Sequence, residues 1–245
     1  MNVSDVKYLD IVSNEEINLR SNIAKLKSSF DIFLRLDDLY KLPLTTAIKN
    51  ETDGVILSLY LLVHSKLYFS ISCLLRGHLA EAFAATRGAL DASLTAYRII
   101  LYPESKGAYL KRDWSYQTIK STIKSDLAKY PLAAILIELH EMCSQHVSHA
   151  DISVLNNRVV MHKQEGTEKR LLEFKYFDCP NDEVVYRGVI VDLLRAFHAM
   201  LLIFQPFVAE IFSIQPDDWA SEIKGIGIII RNEQINTDKY IKSLK

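Results

Sequence analysis

Apolar residues along this chain recur at helical rather than strand spacing, and the pattern is fullest from Arg76 to Leu101. At about 100° per residue, Leu79, Phe83, Leu90, Leu94, Tyr97 and Leu101 fall in one narrow sector, the stripe of a core-facing helix. Ala82, Ala85, Ala89, Ala92 and Ala96 fill a second sector, small enough to admit another helix backbone. The third sector carries Glu81, Arg87, Asp91, Thr95 and Arg98, set among Ala80, Ala84 and Gly88 where a solvated helix would carry Lys and Glu. This helix is therefore expected at the centre of the fold, buried on two faces and approached on the third.

The remaining elements are read from the same periodicity. Ser13 with Glu16 is a capping-box pattern, and Ile17, Ile23, Leu26, Phe30, Phe33 and Leu34 carry a first helix to about Tyr40. Pro43 and Asn50 to Gly54 make a turn before a second helix, roughly Asp53 to Leu75, expected to pair antiparallel with the central one. Pro103 stops the central helix, and Glu104 to Lys129 reads as one or two solvated amphipathic helices with Trp114, Tyr116, Ile119 and Ile123 inward. Pro131 opens a helix whose stripe is Leu132, Ile135, Leu136, Leu139, Met142 and Cys143. Arg158 to Lys163 and Arg170 to Phe177 are short β-rich runs around QEGTE, which predicts a hairpin insertion near residues 157–178. Helical spacing resumes from Glu183 to Val208 with Pro206 as a kink, and a last helix from Asp217 to Lys242 carries Trp219, Ile223, Ile226, Ile230 and Tyr240. With no internal repeat or low-complexity linker, the expectation is a mainly α multi-helix bundle forming a single domain over residues 1–245.

Composition narrows this reading. Eight glycines and six prolines in 245 residues are too few for the many turns of a β-sandwich, so long helices are favoured. A formal net charge of −1 writes no general attraction to nucleic acid or anionic membrane into the chain. Cys73, Cys143 and Cys179 lie far apart, which fits reduced thiols in a cytoplasm, and none reads as a nucleophile. The N-terminal run MNVSDVKYLDIVSNEE lacks a basic segment followed by an apolar core, so no secretory signal is expected. Val55 to Leu75 is long enough to span a membrane, but His64 and Lys66 at its middle make a buried helix of a soluble protein the better reading.

Candidate chemistry is sparse. Arg87 and Asp91 could be an exposed ion pair of about 0.3–0.5 kcal/mol, or could face a shared pocket in a cleft wall. In this pair the cation precedes the acid, the less favourable order against the helix dipole, so helix stability is a weak reason for it. His146 continues the apolar stripe of its helix and points inward, with His149 near the same edge if the helix persists that far. A histidine on an apolar face is more often a satisfied core residue than a ligand. His140, Cys143, His146 and His149 stand three apart, a step that drifts about 60° per ligand on a helix, so four cannot converge on one ion. The Glu-x-x-His pairs of a carboxylate-bridged di-metal bundle are not supplied, and neither a metal nor a cofactor is expected. Phosphate-cradling glycine loops, a Rossmann fingerprint and a serine elbow are missing from the sequence as well.

Two segments, LLRGHLAEAFAATRGALDA and CSQHVSHAD, resemble uncharacterised bacterial helical-bundle proteins grouped with HEPN-like and abortive-infection proteins. The resemblance covers about a third of the chain and implies a helical bundle first. Carried to this sequence it points to Arg87, Asp91 and His149, with Ser144 and Ser148 beside them and His146 as an alternative acid or base. This chain has Asp91 where such proteins more often carry Glu, an acid one methylene longer. Neither Arg158 with His162 nor Arg195 with His198 matches the longer Arg-to-His spacing of HEPN nucleases. The leading expectation is a non-catalytic helical module that binds a protein partner or self-associates, possessing no membrane partner, in a bacterial defence or stress system. The alternatives are a divergent ribonuclease or toxin with RNA as its partner, using His149 or His146 as acid or base and Arg87 against phosphate, and a metal or small-ligand site in the bundle.

Overall fold

The computed structural model describes residues 3–45, 54–113, 116–147, 159–163, 170–174, 177, 183–212 and 216–243. Among these the fold is mainly α, with helices α1 (Val3–Lys25), α2 (Lys27–Lys41), α3 (Gly54–Arg76), α4 (Leu79–Leu101), α5 (Lys106–Leu110), α6 (Tyr116–Ser125), α7 (Ala133–Val147), α8 (Glu183–Ile211) and α9 (Pro216–Ser243). Strands β1 (Val159–Lys163) and β2 (Arg170–Phe174) pair antiparallel, with Met161 opposite Leu172.

Helix α4 lies at the centre, packed by α3, α6, α7 and α8. All five alanines of its small-residue face are buried, as are Phe83, Leu90, Leu94 and Tyr97 of its large-residue face, while Leu101 at its last turn is exposed. The hydroxyls of Ser70 and Thr86 lie 2.7 Å apart against the Ala82 carbonyl, which locks α3 to α4 as an antiparallel pair. Between these helices Gly77 takes a positive φ of 95°, a conformation that glycine adopts without a Cβ penalty. Its N–H reaches Leu74 O at 3.0 Å and the His78 N–H reaches Cys73 O at 2.8 Å, the two bonds of a Schellman ending.

Two carbonyls left over at this end of α3, those of Arg76 and Leu75, are satisfied from elsewhere in the chain, and the Leu74 carbonyl takes a second donor there. Asn18 Nδ2 donates to Arg76 O at 3.2 Å, Asn22 Nδ2 to Leu75 O at 2.9 Å, and the Tyr186 hydroxyl to Leu74 O. Helices α1 and α8 are thereby pinned to one point of the bundle.

Several expectations are corrected. The first helix begins at Val3, so Ser13 lies well inside it and caps nothing. It is also two helices rather than one. Buried Leu26 leaves helical geometry (φ −98°, ψ 25°) although its N–H and carbonyl still bond Asn22 and Phe30, a join that periodicity alone does not register. Tyr240 of the last helix is exposed rather than inward, because α9 runs past the core in its final turns. Helix α3 is not buried all round, since Leu61, Leu62, Tyr68 and Phe69 face outward. Together with the α8 segment Tyr186–Ile211 it is long and apolar enough, by length and composition, to cross a membrane. Trp114 lies outside the described residues.

At the α8–α9 crossing the His198 Nε2 bonds Ile223 O at 2.9 Å, and its ring fills the place where a Cβ on Gly227 would stand. A Cβ there would meet ring atoms at 2.6 and 2.8 Å. Gly227→Ala should therefore cost about 1–3 kcal/mol of unfolding free energy through overpacking. Gly225→Ala, whose Cβ would meet nothing within 4 Å, should be neutral or up to about 1 kcal/mol stabilising through helix propensity. Urea titration of both variants checks the contrast.

Candidate functional site

Arg87 and Asp91 lie on the α4 face that was expected to be approached, and α7 approaches the Asp91 end of it. The expected Arg87–Asp91 ion pair is not formed, because α7 brings a different partner to the acid. His140 Nε2 sits 3.0 Å from Asp91 Oδ1, with the imidazole side chain only 4% exposed and the carboxylate 37%. The two atoms are close but not aligned as a hydrogen bond. Ser144 Oγ is 3.4 Å from His140 Nδ1, yet its hydroxyl donates to the His140 backbone carbonyl at 2.7 Å. Ser144, His140 and Asp91 thus fall in a line that resembles a nucleophile, base and acid, but the serine proton is committed to the backbone and the imidazole is sealed.

Arg87 stands on the same face and has no ion-pair partner among the described residues. Its charge is felt by Cys143, whose buried thiol is nevertheless pushed up to about 12 by loss of solvent. That thiol and the Cys73 thiol, pushed up to about 11 by burial, are free and unreactive at neutral pH. His146 lies on the helical backbone of α7, its side chain outside the described set; His149 and Ser148 lie outside the described residues altogether, as does Cys179. Among the described residues no three His, Cys, Asp or Glu side chains converge as a metal-binding group. The buried histidine of α7 that the structure does describe is His140, which sequence reasoning weighed only as one tooth of a metal comb.

A second polar cluster, absent from the sequence reading, joins α2 to α3. Asp37 occupies the apolar stripe of α2 between Phe33 and Tyr40, and its carboxylate is only 3% exposed. It accepts from Lys41 Nζ at 2.5 Å, Tyr68 OH at 2.6 Å and His64 Nε2 at 2.8 Å. Burial by itself would raise the Asp37 carboxyl, but these donors outweigh it and hold the group below its ordinary value. The His64 ring stacks on Tyr40 at 5.5 Å, and Lys41 Nζ lies 5.3 Å above the Tyr68 ring. Below them the Tyr40 hydroxyl donates to Phe197 O and the Tyr60 hydroxyl to Tyr40 O, both at 2.7 Å. The signal was present in the sequence: an acid in the middle of one apolar stripe and a histidine in the middle of another.

Fold and clusters together define a mainly α, multi-helix protein with two internal polar clusters. No family model, no curated protein and no solved structure matches this chain.

The Asp37 cluster carries a pH signature. A folded pKa held below the unfolded value of about 3.9 gives stability that is present above that value and lost as pH falls through the folded one. Asp37→Ala should lower unfolding free energy by about 3 kcal/mol at pH 7, since it strips three donors of a charged acceptor. The gap between parent and variant should then narrow only below about pH 4. His198, whose burial lowers its pKa, weakens both chains alike as pH drops below about 6.5 and so cancels in the difference. Denaturant titrations at stepped pH values measure it.

Proposed function

We propose that this chain is a non-catalytic helical module that works by association, with the outer crest of α3 as its docking surface and residues 157–178 as a hairpin insertion on the bundle. One observation carries the reading: Leu61, Leu62, Tyr68 and Phe69 keep 43, 41, 42 and 54% of their surface in contact with solvent. They lie on a single helix whose crest between them is serine. The fold has apolar surface to spare on one continuous face, and such faces commonly mark interaction sites. The polar clusters support the same reading, since Asp37, His64 and His140 are spent on internal contacts.

The alternative reading is a ribonuclease that uses Arg87, Asp91 and His149, and its support is the Arg87 guanidinium, which no described carboxylate neutralises. The two readings part on a direct assay. Incubated with single-stranded and structured RNA, the association module shows no cleavage above buffer, and expression of Arg87→Ala or His149→Ala changes no growth phenotype. Cleavage or growth arrest that disappears in either variant, with the circular dichroism of the fold unchanged, would decide for the nuclease.

A further inference from the structure

Helices α7, α8 and α9 meet around a cavity of about 290 Å³. Helices α8 and α9 run antiparallel there: His198 Nε2 bonds Ile223 O, and ten residues earlier on α8 a Cβ on Gly188 would stand 3.9 Å from Thr237 Cγ2. Arg195, about one turn before His198, is therefore level with Arg231 of α9, and Gln234 follows Arg231 on the same α9 face. Leu202, about one turn after His198, lies at the opposite end. Helix α7 is antiparallel to α8 as well, since its Cys143 feels the charge of Asp192 while Leu132 and Ile135 share the cavity with Ala199 and Leu202. One end of the cavity thus gathers guanidinium and amide donors, and the other gathers aliphatic side chains.

The polar end carries one unit of uncompensated charge. Asp192 Oδ1 accepts from Arg195 at 3.1 Å, which balances that guanidinium. Arg231 is exposed and forms no ion pair among the described residues, and no described carboxylate lines the cavity. A monoanion matches this charge, whereas a phosphate group at about −1.5 to −2 exceeds it. The two oxygens of a carboxylate also fit the fork of a guanidinium. We propose that the cavity binds a small monocarboxylate with an unbranched aliphatic tail, its head held between Arg231 and Gln234 and its tail laid past Leu202 toward Leu132 and Ile135.

Size selects within that class. The volume lies at the lower edge of the ~300–1,000 Å³ that ligand pockets span. At about 30 Å³ per heavy atom, the share of a molecule in liquid water, it admits about ten heavy atoms, an acid of about eight carbons. Leu132, Ile135 and Leu202 are half-buried and keep surface for such a tail, and buried Ala199 and Ile230 close the floor. His198 against Gly227 forms the wall between the two ends, its Nε2 already engaged by Ile223 O. A ligand of this size at ordinary efficiency dissociates on the order of 1 mM. The cavity shares no helix with the α3 crest, so the proposal stands apart from the association reading.

Amide NMR titration of the full chain with sodium octanoate up to about 10 mM tests this, beside propionate, which keeps the head without the tail, and octylammonium, which reverses its charge. The expected result is saturable shifts at Gly227 and Gln234 with octanoate, binding at least about tenfold weaker for propionate, and no shift of these amides with octylammonium. Arg231→Gln and Arg231→Glu, at an exposed position where circular dichroism should show the fold retained, should each weaken octanoate at least about tenfold. Octanoate that leaves these amides unmoved overturns the proposal, as do shifts centred on the α3 crest instead. Octylammonium binding as tightly as octanoate overturns the anionic head, and propionate doing so overturns the aliphatic tail. Octanoate binding that both Arg231 variants leave unchanged overturns the assignment of the head to Arg231.

Discussion

The architecture turns on how the C-terminal end of α3 is satisfied. A helix leaves its last carbonyls without intrahelical donors, and inside a bundle water is not there to take them. Here Gly77 closes two of those bonds locally, and Asn18, Asn22 and Tyr186 supply donors to Arg76, Leu75 and Leu74. The three donors come from α1 and α8, so one local need draws in helices distant in sequence. The same junction sets the antiparallel turn into α4, and α4 in turn receives α6, α7 and α8. Glu15, bonded to His78 at 2.9 Å, secures α1 at the first residue beyond the turn. A fault at this point would loosen the entry of α4 and the docking of α1 and α8 together.

The internal polar clusters do a related task in the middle of the helices. A buried carboxylate is costly unless it is hydrogen-bonded and paired. Asp37 meets that condition with three donors, two of them on α3, so the rotation of α2 against α3 is fixed by direction and not only by apolar contact. Asp91 with His140 plays the weaker counterpart between α4 and α7, half exposed and poorly aligned. Asp192, its side chain 35% exposed, is raised by partial burial that Arg195 only partly offsets. Directional pairs at helix crossings specify which faces meet, a service apolar side chains supply poorly.

Much of this was legible in the chain. The alanine face of α4 and the stripe from Phe83 to Tyr97 came directly from spacing, because a helix buried on two sides must show both periodicities at once. The starts and ends of α3 and α9 were legible for the same reason, helped in α3 by the turn that Gly54 closes. The break at Leu26 was not, since both segments keep one apolar phase and no glycine or proline marks the join. The pairing of Asp91 was misread because the sequence offers the nearest charge at four residues, while its actual partner, His140, arrives from a helix about fifty residues on. Asp37 was missed for a like reason: its donors His64 and Tyr68 belong to a different helix, and only tertiary contact reveals that they converge.

Burial also separates the polar sites from the crest in functional terms. A group that is sealed and hydrogen-bonded has already spent its interaction energy on folding, and little remains for a ligand. The crest of α3 is in the opposite position. Its four large apolar side chains keep 41–54% of their surface in water, and burying that surface is worth about 25 cal/mol for each Å². Tyr68 links the two regimes, holding Asp37 with its hydroxyl while its ring edge stays at the surface. The cluster beneath thus fixes the rotamer of a residue on the exposed crest, so its side-chain entropy is lost on folding. A surface aromatic already held in place in this way has less conformational freedom left to lose in any later contact.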